Sequence, residues 1–432
     1  MKVRKEITEL LSAGVITPEV AYRINSYYDS KTEPSQNRQV IVFGILGAIM
    51  VSLGIILILA HNWDNLSRLI KTIVAFLPLV FGQLICGYTL LNKKESTAWR
   101  EASSAFLFFA IGACIGLLGQ VYNVDGNLDS FLFTWLLLCV PIIYVMQSSV
   151  ASLLYIAGIT WYACETGYWG HSTYTPFIYW GMLLLVLPYY YLLFRKHREN
   201  NFFTFHNWLI PISVTIALGT FSHHESELMF IAYVSLFGLL YLIGNNPFIR
   251  EQKVRNNGYL VLGSLGSVGI LLVLSFNFFW NDLPDHSFDM KEIMHSSEFH
   301  VATFLTLAAL VLLIYQKIKF RPFDIKPVEL VFILFIIIFF IGIKSPIAIL
   351  FINILVLTIG ILTIREGTKL DHLGILNYGL LIVTTLIICR FFDVDISFAF
   401  KGLLFVAVGL GFFFANYWMM RKKKVKSEKR EV

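Results

Sequence analysis

A lysine set among apolar residues, preceded by an arginine and two aspartates, poses the first chemical question of this chain. The segment runs Arg390-Phe391-Phe392-Asp393-Val394-Asp395, and Lys401 follows one turn into a further apolar stretch. Charge at such a position is costly unless it is paired or used. Arg390 and Asp393 are three residues apart, in range for an ion pair if one helix carries both. Asp395 and Lys401 form a second candidate pair. Either a structural clamp or a site for an anionic ligand fits this pattern. A second grouping is Gly119-Gln120-Val121-Tyr122-Asn123, where Gln120 and Asn123 share a helix face and could bond a neighbouring helix or line a cavity. A third is His61-Asn62-Trp63-Asp64, in which Trp63 suits a membrane interface.

Beyond these, signatures of known chemistry are missing. The chain holds no Gly-x-x-x-x-Gly-Lys phosphate loop, no His-Glu-x-x-His and no nucleophile elbow. Seven of its ten histidines (His61, His171, His223, His224, His286, His295 and His300) fall near one set of loops, accompanied by Glu225, Asp285, Asp289 and Glu298. Histidine with carboxylate can bind zinc or sense pH, but no spacing here is that of a metal site. No catalytic, cofactor or metal site is therefore assigned. The five cysteines form no Cys-x-x-Cys pair and lie in or beside apolar runs, as thiols that pack like small hydrophobes do.

The elements that must position these groups follow from composition. Of 432 residues, 57% are hydrophobic and only 14% charged, where a soluble domain carries roughly 25% charge. Apolar runs near the roughly 20 residues that cross a bilayer recur throughout. They predict an all-α polytopic transmembrane helix bundle of about fourteen spans: 39–60, 69–91, 103–121, 131–146, 148–164, 177–194, 207–221, 228–244, 258–280, 299–316, 327–343, 346–364, 373–391 and 397–420. Between 131 and 164, only Gln147-Ser148 separates two short runs, which reads as a tight hairpin or as one re-entrant element. With both termini cytoplasmic, all but six of the 34 basic residues fall on the inside; the exceptions are Arg68, Lys71, Lys291, Lys344, Arg390 and Lys401. That is the asymmetry of the positive-inside rule, and it accounts for the +6 net charge.

Residues 1–38 read as a cytoplasmic helical headpiece, 39–420 as the bundle and 421–432 as a basic cytoplasmic tail. Gly14 should stop a first headpiece helix, and Thr17-Pro18-Glu19 should start a second. The apolar stripe of this headpiece either docks on the bundle or offers a face to a protein partner. Glycines three or four apart (Gly44, Gly47, Gly54; Gly112, Gly116, Gly119; Gly263, Gly266, Gly269; Gly402, Gly409, Gly411) predict close helix packing or backbone approach to a substrate. The first and ninth spans share glycines and an aromatic-polar end, a weak sign of duplication.

The headpiece LLSAGVITPEVAYRINSYY, the segment GILGAIMVSLGIILILAHNWDNLSRLIK, the GACIGLLGQVYN segment and the ending CRFFDVDISFAFKGLLFVAVGLGFFFANYWMMRKKK resemble an uncharacterised bacterial family of predicted membrane proteins with an N-terminal domain of unknown function. The resemblance implies an inner-membrane location and a multi-span bundle, and it marks His61–Asp64, Gln120, Tyr122, Asn123, Arg390 and Asp393 as motif positions. It implies no activity. The leading expectation is a transporter or lipid-handling permease with membrane lipids as partners. The alternatives are a non-transporting envelope scaffold or sensor acting through headpiece and outer loops, and a membrane enzyme on lipid or isoprenoid substrates. Nothing calls for a nucleic-acid partner.

Overall fold

Long apolar runs in lipid must satisfy their own backbone hydrogen bonds, and the α-helix does so within one segment. A computed structural model describes residues 7, 10–31, 66–169, 177–196, 200–222, 226–246, 254–282, 290–319 and 326–393, with scattered positions between 402 and 417. Every regular element among them is helical. The expected span 39–60 and the basic tail lie outside the described residues, and span 397–420 is described only at the scattered positions, which are helical. The other twelve expected spans each fall on a helix. Among the described residues nine helices are long and apolar enough to cross a membrane.

The chain divides into two units, Met1–Val74 and Ala75–Val432. In the first, Gly14 takes a left-handed conformation (φ +69°). Its N–H bonds Leu11 O while Val15 N–H bonds Leu10 O, the paired bonds that close a helix end on glycine. Helix α1, Pro18–Lys31, then starts with Thr17 Oγ1 accepting from Val20 N at 3.5 Å. Stop and start fall where the residue types place them.

Helices α2 (Arg68–Asn92), α3 (Thr97–Tyr122), α4 (Leu128–Val145) and α5 (Ser149–Cys164) follow. Gln147 at φ 48° turns the chain between α4 and α5, so 131–164 is a hairpin of two helices, with Gly158 of one against Leu136 of the other. A π-helical turn, Glu165–Trp169, prolongs α5. Helices α6 (Phe177–Leu184) and α7 (Leu187–Lys196) are one run broken just ahead of Pro188, which has no N–H to continue the ladder. Next come α8 (Asn201–Leu218), α9 (Leu228–Asn245), α10 (Gly258–Val273), α11 (Ser297–Lys319), α12 (Val331–Gly342), α13 (Ala348–Lys369) and α14 (Leu373–Asp393).

Helix α9 is the axis of this unit. It is 78% buried and packs against α8, α10, α11 and α12. Two helix pairs approach backbone to backbone. Gly244 of α9 meets the Leu260 backbone, and Gly263 of α10 meets Tyr241 N and Phe237 O. In the pair α13–α14, a side chain at Gly367 would collide with the Leu376 backbone and one at Gly379 with Ile364 N. Gly266 faces the Phe237 ring and Gly112 the Trp135 ring, so several of the glycines singled out by spacing serve packing. Large apolar side chains such as Leu84, Leu91, Phe304, Val311, Ile318 and Phe340 stay exposed, as helices facing lipid require. All five cysteines are free.

A side chain at Gly263 would collide with the backbone of α9, while one at Gly269 meets nothing within 4 Å. Gly263→Leu is expected to cost about 1–3 kcal/mol or more, and Gly269→Leu within about 0.5 kcal/mol of nothing. Thermal unfolding in detergent, followed by tryptophan fluorescence, measures both; equal melting temperatures would contradict the packing described.

Candidate functional site

Where α9 ends and α10 begins, polar side chains close the helix ends. This is the end of the bundle that also carries Arg100, Arg195, Lys196, Lys317, Lys319 and Lys369. Asn257, 1% exposed, donates from Nδ2 to Gly244 O at 2.8 Å and accepts Leu260 N–H at 3.1 Å. One amide thus caps the end of α9 and the start of α10. Glu101, 7% exposed, does the same for α5. It accepts Ser148 Oγ–H at 2.5 Å, Ser149 N–H at 3.0 Å and Val150 N–H at 2.8 Å, and a carboxylate suits the positive end of a helix dipole.

Glu329, 2% exposed, joins three elements. It accepts Asn245 Nδ2–H at 2.8 Å from α9, Lys317 Nζ–H at 2.6 Å from α11, and the backbone N–H of Lys326 at 3.1 Å. The last bond starts the 3-10 turn Pro327–Leu330 that leads into α12. Lys326 is thereby fixed at its backbone, and its ammonium lies 3.5 Å from Glu366 Oε1 of α13.

These groups stand beside a cavity of about 600 Å³. It fills the gap between the two glycine-tightened pairs, α9–α10 and α13–α14, which are bridged by Ser264 Oγ and Tyr378 Oη at 3.0 Å. Val261 and Leu265 of α10, Val328 of the 3-10 turn and Ile375 of α14 form apolar wall. The described acidic, basic and histidine side chains of the lining come from helix ends: Arg255 before α10, Lys326 before the turn, Glu366 in the last turns of α13 and His372 before α14. His372 Nδ1 accepts the Ile375 N–H at 3.3 Å, which places the ring proton on Nε2 as a donor. An apolar chamber with charge only at its helix-end rim matches an amphipathic molecule. A second cavity of about 390 Å³, lined by Trp180, Phe221, Leu236 and Phe304 among others, lies between α6, α8, α9 and α11. Its lining includes Ser297 and His300 at the start of α11, so it reaches toward the opposite end.

The described residues among those singled out by sequence lie elsewhere. Helix α14 runs through Asp393, so positions 390 and 393 do sit on one helix. Arg390 Nη2 donates to Ser275 Oγ at 3.3 Å, and its guanidinium lies 5.1 Å from the centre of the Phe276 ring. Asp395, Lys401 and His61–Asp64 are outside the described residues. Gln120 and Tyr122 are exposed at the end of α3, and Asn123 closes that helix in a left-handed conformation (φ 51°). Helix α3 packs with α4 and α5, whereas α14 packs with α13 and α10, so the two groups belong to different helix sets. His295 and His300 bond backbone carbonyls one turn earlier, Lys291 O and Ser296 O. Among the described residues no three His, Cys, Asp or Glu side chains gather as metal ligands.

Sequence reasoning missed Glu101, Glu329, Glu366 and His372. The signal for Glu329 was present: a carboxylate inside the expected span 327–343, where ionisable residues deserve a functional reading by default.

Residues 8–154 match a family described as "Predicted membrane protein (DUF2157)", one of unknown function. The headpiece, the HNWD segment and GQVYN fall inside that range, and the C-terminal RFFD segment falls beyond it. No curated protein and no solved structure matches the chain.

Removing the Glu329 carboxylate takes a charged acceptor from Lys317 and an acceptor from Asn245 at once. Glu329→Ala is expected to destabilise the protein by about 3–5 kcal/mol. Glu366→Gln, at a pair whose carboxylate is 26% exposed, should cost no more than about 1 kcal/mol. Melting temperatures of the two variants check the order; similar losses would remove Glu329 from its place as anchor.

Proposed function

We propose that this protein is a lipid-handling permease of the bacterial inner membrane, with both termini cytoplasmic and the cavity between α10 and α14 as its ligand site. The cavity carries the reading. Its volume falls within the roughly 300–1,000 Å³ of small-molecule sites, enough for a headgroup and the start of its chains, with the rest of the chains lying in the bilayer. The basic rim then sits at the cytoplasmic leaflet, where the positive-inside asymmetry puts it. The apolar cavity reaching toward the other end of the bundle supports passage between leaflets.

A second reading has its own observation. Leu10, Leu11 and Val20 of the headpiece are exposed, a sticky surface suited to a protein partner in an envelope scaffold or sensor.

Val261→Trp would fill the cavity without meeting a tight core. In liposomes containing a fluorescent phospholipid, the wild-type protein should speed exchange between leaflets, and Val261→Trp should abolish that acceleration while folding normally. Equal exchange with wild type, variant and empty liposomes would overturn the permease reading. Deleting residues 1–34 separates the two readings: the permease keeps its exchange rate, whereas a scaffold shows no exchange and loses its cellular phenotype.

A further inference from the structure

We infer that the cavity selects an anionic phosphodiester lipid over zwitterionic and uncharged ones, and that Glu366 tunes this selectivity by holding Lys326. The inference rests on the lipid-handling reading and adds the class of lipid.

Among the described residues the rim carries Arg255 and Lys326 against one carboxylate, Glu366, an excess of one positive charge. His372 adds a donor at Nε2, because its Nδ1 is occupied by the Ile375 N–H. Arginine, lysine and histidine thus present donors to a ligand that must supply acceptors. A phosphodiester carries one negative charge and two unsubstituted oxygens, so it neutralises the rim and receives those donors. A zwitterionic headgroup brings its own cation and leaves the rim charge in place. An uncharged diacylglycerol brings no charge at all. The wall beyond the rim is apolar, formed by residues such as Val261, Leu265, Val328 and Ile375, which favours a ligand with chains over a free anion.

Lys326 is the pivot of the rim. Its backbone N–H is held by Glu329 at 3.1 Å, so the side chain starts from a fixed point. Its side chain is only 13% exposed, and its ammonium lies 3.5 Å from Glu366. An incoming phosphate must share Lys326 with that carboxylate. Glu366 therefore lowers affinity for the anion while offsetting part of the positive charge of the empty rim. A pair of this exposure gives way at modest cost, which suits a ligand that must also leave.

Binding of fluorescent phosphatidylglycerol, phosphatidylcholine and diacylglycerol to the purified full chain in detergent tests the inference. Phosphatidylglycerol should bind roughly tenfold tighter than phosphatidylcholine. Glu366→Gln should tighten phosphatidylglycerol roughly fivefold and phosphatidylcholine, whose phosphate meets the same lysine but whose ammonium opposes the rim charge, clearly less, and Lys326→Gln should weaken phosphatidylglycerol roughly tenfold, about 1.4 kcal/mol. Arg255→Gln, which touches none of the Glu329 bonds, should weaken it similarly and guards against a folding defect at position 326. Equal binding of the three lipids, unmoved by these variants, overturns the charge selectivity while the lipid reading stands. Failure of all three lipids to bind sinks the lipid reading and this inference together. Inorganic phosphate that competes as well as phosphatidylglycerol would mark a soluble-anion site instead and overturn the inference.

Discussion

A helix that ends inside an apolar medium leaves backbone groups that water cannot reach, and something in the protein must meet them. In this bundle buried side chains meet them: Asn257 between α9 and α10, Glu101 at α5 and Glu329 at the turn before α12. Glu329 has the widest reach. A buried carboxylate standing alone costs several kcal/mol, and this one is compensated by an ammonium, an amide and a backbone N–H at once. In meeting its own needs it fixes the end of α9, the end of α11 and the start of α12 relative to one another. The position of Lys326, and with it the rim of the cavity, follows from that arrangement.

Close packing supplies the second half of the site. Glycines bring α9 against α10 and α13 against α14 with little side chain between. Helices so tightly paired behave as two slabs, and slabs of fixed width do not fill the space between them. The gap becomes the cavity, spanned by one hydroxyl contact, Ser264 to Tyr378. Charge enters it only from helix ends, because the walls are the faces of membrane helices and the ends are where Arg255, Lys326 and His372 sit. An apolar interior with a basic rim is therefore a consequence of where membrane helices can tolerate charge.

The helices were legible because run length records the thickness of the membrane directly. The headpiece boundaries were legible because Gly14 and Thr17-Pro18 act through their own backbone neighbours. The site was not. Lys326 registered only as an inside charge, Glu329 as part of an apolar run, and Arg390 as a partner for Asp393, whereas the described contacts of Arg390 include Ser275, 115 residues away. Which helix end meets which is decided by the order of packing around α9, and no local pattern encodes that order. Of the polar residues flagged in sequence, Asn123 ends a helix and Arg390 lies over the Phe276 ring. Those that build the cavity looked ordinary.

Lys317 and Glu329 lie only twelve residues apart, on helices that follow each other in the chain. Being neighbours in the chain, the two can pair as soon as both segments exist, so neither charge need face lipid alone. Asn245 belongs to a helix made much earlier, and its amide completes the cluster from the other side. One carboxylate thus joins a charge partner twelve residues before it to an amide from a helix made much earlier, tying neighbouring and distant parts of the chain at a single point.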